Sequence, residues 1–426
     1  MKILIVSFLF APTNNIGAKR VTKVAEYLNS VGHDVRVLTA RQKFNQHRVI
    51  HNIPVGKIYY TNWLDVNKPF YWLKNESLEP SVGKERVPLF ESGFKQSVYQ
   101  YLRAIYKRIL HRPDSVVGWI PYAVFGAISG LKEWSPDVIY GSAPPYTSLV
   151  ISKILAWYYK VPWVAELRDL WKDNPAQRTD FIDRWLERSV LANATAIVVV
   201  STDMARKLVR NYLQPCYVVR NAFDQEDYCD LPKNSLDDSF LNITYTGVVY
   251  KGRQDPSILF AAIAGSEELR RKVRVHFYGR GNEWIKNLVN EFGLSQSVEV
   301  YGVVGHQEAL SIQKNSDLLL LMTWNDPLQK GVLSGKLFEY IGSVRHILCV
   351  GDFEDEATRI VRRMKFGSVF HDVSALASFL LSNCNDKDEI YSKNNSFRGC
   401  FIRDRQSRKI DRILQQCVNK SNNNKL

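Results

Sequence analysis

The chain of 426 residues contains no apolar run approaching the ~20 residues that a bilayer-spanning helix needs, which excludes an integral membrane helix and leaves peripheral contact as the expected kind. Cysteine is sparse: Cys216, Cys229, Cys349, Cys384, Cys400 and Cys417 form no Cys-x-x-Cys pair, which argues against a zinc ribbon. Scattered single cysteines read as the reduced thiols of a cytoplasmic protein. His33, His51, His276 and His306 lack zinc-ligand spacing. No Gly-x-Ser-x-Gly elbow and no Walker loop occurs, so a serine-hydrolase site and a P-loop are excluded. No repeat recurs at 20–50 residue spacing. Asp386-Lys387-Asp388 has the Asp-x-Asp form of metal–nucleotide-sugar sites, but no strand feeds it and it reads as a solvated loop.

What is present is ordinary globular composition, 45% hydrophobic and 23% charged, in a chain long enough for two or three domains. Lys and Arg number 57 against 43 Asp and Glu, a net +14, which favours anionic partners: phosphates, nucleic acid or an acidic membrane surface. The opening Met1 to Ala11 is as apolar as a short signal segment. However, Pro12-Thr13-Asn14-Asn15 offers no small-x-small cleavage site, and Ile3 to Ser7 is expected to be a first buried strand.

The periodicity then alternates. Ala18 to Ser30 carries apolar residues at helical spacing (Val21, Val24, Ala25, Leu28) before Gly32, and Val35 to Leu38 is the next strand. Asp137 to Tyr140, Trp163 to Ala165, Ala196 to Val200 and Cys216 to Val219 read as further strands of this half. A polar stretch to about Ser239 reads as a linker. Strands at Ile243 to Thr246, Val273 to Phe277, Val298 to Val300, Asp317 to Met322 and His346 to Val350 follow, interleaved with helices. This alternation predicts α/β architecture with parallel sheets covered on both faces. Between Arg41 and Gly130 the pattern is less regular. There Phe94, Val98, Tyr101, Leu102, Ile105 and Ile109 share one helical face, with Lys95, Arg103 and Lys107 off it. That helix suits either an anionic lipid surface or a core with solvated charges.

Four segments can carry chemistry. In Asn14 to Arg20, Gly17 stands where the chain enters a helix, so exposed amides can face an anion. This is not Gly-x-Gly-x-x-Gly, and no acidic residue ends the next strand to hold a ribose, so nicotinamide binding is disfavoured; a plain tight turn is the other reading. Tyr245 to Arg253 puts Gly247 at a strand's carboxyl end, with Lys251 and Arg253 following in a loop suited to a diphosphate, or simply solvated. Gly331 to Tyr340 places Ser334 and Gly335 at a helix start and Lys336 in the first turn, where its charge opposes the helix dipole unless an anion sits nearby. Glu339, one turn on, has the carboxylate needed to accept two ribose hydroxyls. Glu166 to Trp171, beside Ser142-Ala143-Pro144-Pro145, is expected to form an acceptor-side site; the alternative is an internal Arg–Asp ion pair.

On these residues the chain resembles the retaining family 4 glycosyltransferases of the GT-B fold, over nearly its full length. Arg220-Asn221-Ala222-Phe223-Asp224 is similar to the family's Pro-Asn-Gly-x-Asp at the domain junction. The Gly247 loop resembles its Gly-Arg-x-x-x-x-Lys-Gly loop, and Ser334 to Tyr340 its nucleotide helix. Glu166 to Trp171 resembles bacterial members that build surface polysaccharide such as O-antigen or capsule, and Phe401 to Leu414 fits the helix that ends such folds.

The resemblance implies two doubly wound Rossmann-like domains facing across a cleft. Residues 1–223 would form the acceptor-side domain, 224–390 the nucleotide-sugar domain, and 391–426 a helical segment packing back on the first. It implies a nucleotide-sugar donor held by Gly17, Gly247, Lys251, Arg253, Ser334, Gly335, Lys336 and Glu339, and an acceptor, lipid-linked or an oligosaccharide, near Arg168, Trp171 and Pro144. Arg253, Lys336, Asp169 and Glu166 are the expected catalytic residues. The cations and helix amides can neutralise a leaving diphosphate without metal, so no metal or cofactor is expected. Three departures stand out: Gly331 replaces the first of two glutamates eight positions apart, Val248 replaces the arginine after the loop glycine, and no histidine matches the family's catalytic-domain histidine. Arg253 stands where the family has lysine. A sugar-nucleotide 2-epimerase and a non-catalytic nucleotide-sugar-binding protein are the alternatives. Nucleic acid is disfavoured because the basic residues are dispersed. The expected location is the cytoplasm, with peripheral attachment to the inner face of the cell membrane.

Overall fold

Four consecutive apolar residues after a leading lysine open the chain as strand β1 (Lys2–Val6), and those four are buried. Such a run suits a strand covered on both faces, and β1 pairs in parallel with a strand on each side. The computed structural model describes all residues except 14–15, 43–50, 69–105, 107–109, 173–179, 233–235, 325–330, 352, 388–389, 391–396 and 424–426. The amphipathic segment expected over 94–109 therefore lies, apart from Tyr106, outside the described residues, as does Asp388.

By contact the chain divides into two units, the first comprising 1–199, 208–217 and 410–426, the second 200–207 and 218–409. In the first, β1 is followed by α1 (Ile16–Ser30), β2 (Asp34–Ala40), β3 (Ile58–Thr61), α2 (Ile120–Gly130), β4 (Val138–Ala143), α3 (Thr147–Tyr159), β5 (Trp163–Leu167), α4 (Phe181–Leu191), β6 (Ala196–Val199) and β7 (Cys216–Val218); α5 (Thr202–Leu208), between β6 and β7 in the chain, belongs almost wholly to the second. The strand order is β3-β2-β1-β4-β5-β6-β7. On α1 the residues Ala18, Val21, Val24, Ala25 and Leu28 are all buried, so one apolar stripe at helical spacing docks it on the sheet.

The second unit runs β8 (Leu241–Thr246), α6 (Ser257–Ala264), α7 (Glu267–Lys272), β9 (Val273–Tyr278), α8 (Trp284–Glu291), β10 (Val298–Tyr301), α9 (His306–Asn315), β11 (Leu318–Met322), α10 (Gly335–Ser343), β12 (His346–Val350), α11 (Glu356–Arg363), β13 (Gly367–Phe370), α12 (Val373–Asn385) and α13 (Arg403–Asn423). Its order is β10-β9-β8-β11-β12-β13. Strand β11 shows how the sheet is held: Leu318, Leu320 and Met322 enter the core on one face, Leu319 and Leu321 that on the other. Period-two alternation of uniformly apolar residues fills both layers at once.

The stretch expected to be a linker carries a short 3-10 turn, Gln225–Tyr228, and is tied down. Phe223 bridges Ile402, and the Arg403 guanidinium pairs with Asp224 at 3.2 Å. Helix α13 begins in the second unit and continues from Ile410 in the first, where Asp411 meets the His33 ring at 2.8 Å. Strands β3 and β13 had no clear sequence signal because both are half-buried edges, β13 starting at Gly367-Ser368.

In each sheet the chain order reverses once, between β1 and β4 and between β8 and β11. In open α/β sheets ligands bind outside the carboxyl ends of the strands at this reversal. Replacing Leu320 by Ala leaves a cavity in the second core; urea unfolding is expected to show a loss of about 2–5 kcal/mol, with the m-value unchanged.

Candidate active site

At the carboxyl end of β8 the backbone turns through Gly247 with φ +118°, a conformation that penalises side chains. The space beside it is taken by Lys336: a Cβ at Gly247 would lie 2.5 Å from Lys336 Cε and 3.0 Å from its Nζ. The turn is fixed by Gly247 N–H donating to the Tyr278 carbonyl (2.6 Å) and by Asn282 Nδ2 donating to the Gly247 carbonyl (3.0 Å). Sequence reasoning missed Asn282, which is buried and also accepts from the Val249 amide.

Lys336 sits in the first turn of α10, whose cap is Ser334; the Ser334 hydroxyl accepts from the Lys336 amide. The ammonium lies 5.1 Å from the centre of the Tyr245 ring, a cation–π contact, and makes no hydrogen bond or ion pair among the described residues. Burial lowers its pKa, only partly offset by the charge of Glu339. A partly desolvated cation with no ion pair among the described residues, held at the positive end of a helix, is an arrangement that an anion relieves.

Glu339 follows one turn later. Gln313 Nε2 reaches its carboxylate at 3.4 Å and the Thr246 hydroxyl at 2.8 Å, while Gln313 Oε1 accepts from Ser343. Tyr228 donates to the Glu339 carbonyl (2.7 Å), and burial together with the nearby Glu339 charge pushes the Tyr228 hydroxyl well above its ordinary pKa. Gln313 is a further residue that sequence reasoning missed; its signal is a glutamine on the fully buried face of α9. Gly247, Lys336, Ser334, Gly335 and Glu339 are thus brought together at the β8–β11 reversal. Lys251 and Arg253 belong to the loop leaving Gly247, with exposed side chains that make no ion pair among the described residues. Tyr250 in that loop stacks on Trp324 after β11. At Gly331 a Cβ would lie 3.2 Å from the Asp203 Cβ, so this position packs against the start of α5.

In the first unit the residues at the β1–β4 reversal form a closed charge network. Glu166 is 0% exposed; its Oε1 accepts from Arg20 Nε and Nη2 at 2.9 and 2.8 Å, and its Oε2 accepts from Ser142 at 2.6 Å. Burial alone raises its pKa, but the charges of Arg20 and Arg168 and the Ser142 bond outweigh that and hold it below the usual carboxylate value. Arg168 donates to the carbonyls of Ala143 and Pro144, and its guanidinium lies against Gly17, where a Cβ would come within 2.0 Å of Nη1. The internal ion pair weighed for Arg168 and Asp169 forms instead between Arg20 and Glu166, a partner that lay far away in sequence. Two expectations are corrected here. Glu166 is sealed in the scaffold and cannot touch a substrate, and Trp171, 2% exposed and stacked on Tyr146 at 4.8 Å, packs the interior. Asp169 stays half-buried without a hydrogen bond among the described residues; burial raises its pKa against the opposing pull of Arg168. No group of side chains suited to a metal occurs among the described residues.

Residues 17–222, just under half of the chain, match the family described as "Glycosyl transferase 4-like domain". Among curated protein sequences none matches. Among solved structures, sucrose-phosphate synthase from Thermosynechococcus elongatus is similar at 14% identity over 99% of this chain and 100% of that one, with a TM-score of 0.64. Alr3699/HepE from Anabaena, in complex with UDP, is similar at 14% identity over 98% and 100%, with a TM-score of 0.61. The lipopolysaccharide outer core galactosyltransferase WaaB is similar at 13% identity over 100% of both chains, with a TM-score of 0.53. The chain therefore has two Rossmann-like domains of the GT-B type. Residues 17–222 are similar to a glycosyl transferase 4-like domain.

Glu166→Gln leaves the Arg20 charge buried without its counterion; thermal and urea unfolding are expected to show a loss of about 3–5 kcal/mol. Gly247→Ala is expected to cost about 1–3 kcal/mol in urea unfolding, because a side chain is strained at φ +118° and the new methyl crowds Lys336 Cε.

Proposed function

We propose that the protein transfers a sugar from a nucleotide-sugar donor, held by the second unit, to a lipid-linked or oligosaccharide acceptor held by the first, in the assembly of bacterial surface polysaccharide such as O-antigen or capsule. The observation that carries this is the partly desolvated Lys336 ammonium against Gly247 at the start of α10, without an ion pair among the described residues. Glycosyl transfer breaks the bond between the sugar's anomeric carbon and the diphosphate, so negative charge gathers on the departing phosphate as an oxocarbenium-like centre develops. Fixed cations and helix amides that meet that charge lower the barrier directly.

Lys336 and the Gly335 amide supply that field, with Lys251 and Arg253 reaching from the Gly247 loop. Glu339, steadied by Gln313, takes the ribose hydroxyls. The reaction retains anomeric configuration: the acceptor oxygen attacks on the face the phosphate leaves, and a phosphate oxygen accepts its proton. Asp169, with no hydrogen bond of its own among the described residues, stands on the acceptor side with Arg168 and Pro144. These cations make a metal unnecessary for charge neutralisation, and EDTA is expected to leave turnover unchanged. UDP is the first base to test, since the similar Anabaena structure is a UDP complex. The net charge of +14 supports peripheral attachment to an acidic membrane.

A thermal-shift screen with UDP, GDP and ADP, followed by transfer assays with the best-bound donor, tests the reading. Donor isomerised without any acceptor would mark a 2-epimerase, and binding without transfer or hydrolysis a binding protein. Lys336→Ala is expected to lower turnover at least ~100-fold; a near-normal rate would remove Lys336 from the chemistry. Because burial depresses the Lys336 pKa, its positive charge is present at low pH and lost as pH rises through a value below the usual lysine range. The kcat/KM profile is expected to fall on that alkaline limb, and Lys336→Arg is expected to move the limb upward.

A further inference from the structure

Helices α3 and α4 lie side by side in the first unit, joined by Lys153, whose ammonium donates to the Ser189 carbonyl and hydroxyl, each at 2.9 Å. One helical turn from either end of that bridge stands a tryptophan on the same helix edge: Trp157 follows Lys153 by four positions, and Trp185 precedes Ser189 by four. Neither is buried; Trp157 is 79% exposed and Trp185 66%, with Phe181 one turn further along α4 at 71%. The turn at 212–214 is held against α4 by the Tyr212 hydroxyl on Glu187 (2.9 Å) and by Gln214 Nε2 on the Ala192 carbonyl (2.7 Å), so the fully exposed Leu213 stands beside the carboxyl end of the same helix. Large apolar side chains left exposed are unfavourable in water unless something covers them.

The charges on this face are of one sign. Arg184 and Arg188 are exposed and make no ion pair among the described residues. The acids of α4 are engaged elsewhere: Asp183 accepts from the Asp180 amide, and Glu187 is buried, accepting from the Lys172 amide and Tyr212. Tryptophan favours the headgroup level of a bilayer, and unpaired arginines are drawn to anionic lipid. A protein interface core would instead be depleted of charge.

We propose that the face formed by Trp157, Phe181, Trp185 and Leu213, with Arg184 and Arg188 between them, seats the protein on an anionic lipid surface. The inference deepens the membrane part of the reading above and rests on it, but it does not depend on the transfer chemistry. It also assigns the contact to a different part of the chain from the basic segment at 94–109.

The test is co-sedimentation of the full chain with phosphatidylcholine vesicles, with and without phosphatidylglycerol, at low and high salt. Binding is expected only with phosphatidylglycerol, weakening as salt rises. Trp157→Ser/Trp185→Ser and Arg184→Glu/Arg188→Glu are each expected to lower the partition coefficient at least about tenfold. Transfer to a soluble acceptor is expected to stay at the wild-type rate, since none of these residues belongs to the donor site. Several outcomes would overturn the proposal: no wild-type binding at low salt, equal binding to neutral vesicles, or wild-type binding in both double variants. The same holds if loss is confined to Lys95→Glu/Arg103→Glu, or if wild-type chain ignores vesicles and forms a dimer that the tryptophan variant abolishes. Inactive protein that still binds anionic vesicles would count against the transfer reading alone.

Discussion

A half-buried lysine ammonium that makes no hydrogen bond or ion pair among the described residues is the constraint around which the second unit is organised. Lys336 is brought to this position by the first turn of α10, by the Tyr245 ring beneath its charge, and by a glycine that leaves room for its methylenes. Each element has a local reason. Ser334 caps the helix, Tyr245 fills the core on β8, and Gly247 adopts a backbone angle that side chains resist. Their convergence produces a net electrostatic demand that none makes alone. The helix dipole and desolvation both work against the charge, an unfavourable balance that a nearby anion would relieve.

The first unit handles charge in the opposite way at the equivalent place in its sheet. Arg20 and Glu166 are also buried, but they neutralise one another, and Ser142 takes the remaining carboxylate oxygen. Such a pair is costly to break and adds little over a well-packed apolar substitute, so its value lies in fixing geometry. Here it locks β5 to α1 while Arg168 ties the Ala143-Pro144 carbonyls and lies against Gly17. One reversal point is thus closed by its own ion pair, while the other leaves a cation without one among the described residues.

Much of this was legible without coordinates, for identifiable reasons. Strands buried on both faces must be continuously apolar, so β1, β8, β11 and β12 stood out, and the interleaved helical periods called for parallel sheets. The lysine in a helix's first turn beside small residues was visible as a local conflict, and such conflicts mark function. Edge strands β3 and β13 were not legible because half-buried residues blur the pattern. Glu166 and Trp171 were misjudged because a polar or aromatic residue at a strand's carboxyl end looks the same in sequence whether it faces a ligand or the interior.

The sequence by itself determined the alternation of strands and helices and the positions of the glycines and first-turn lysine, because these follow from periodicity and backbone sterics acting over a few residues. Only the tertiary structure decided which charges are spent and which are free. Arg20 meets Glu166, Gln313 meets Glu339 and Lys336 meets no anion among the described residues. Those pairings join positions tens to more than a hundred residues apart, where burial and contact are set by how helices pack on a sheet, and no local pattern encodes that distance.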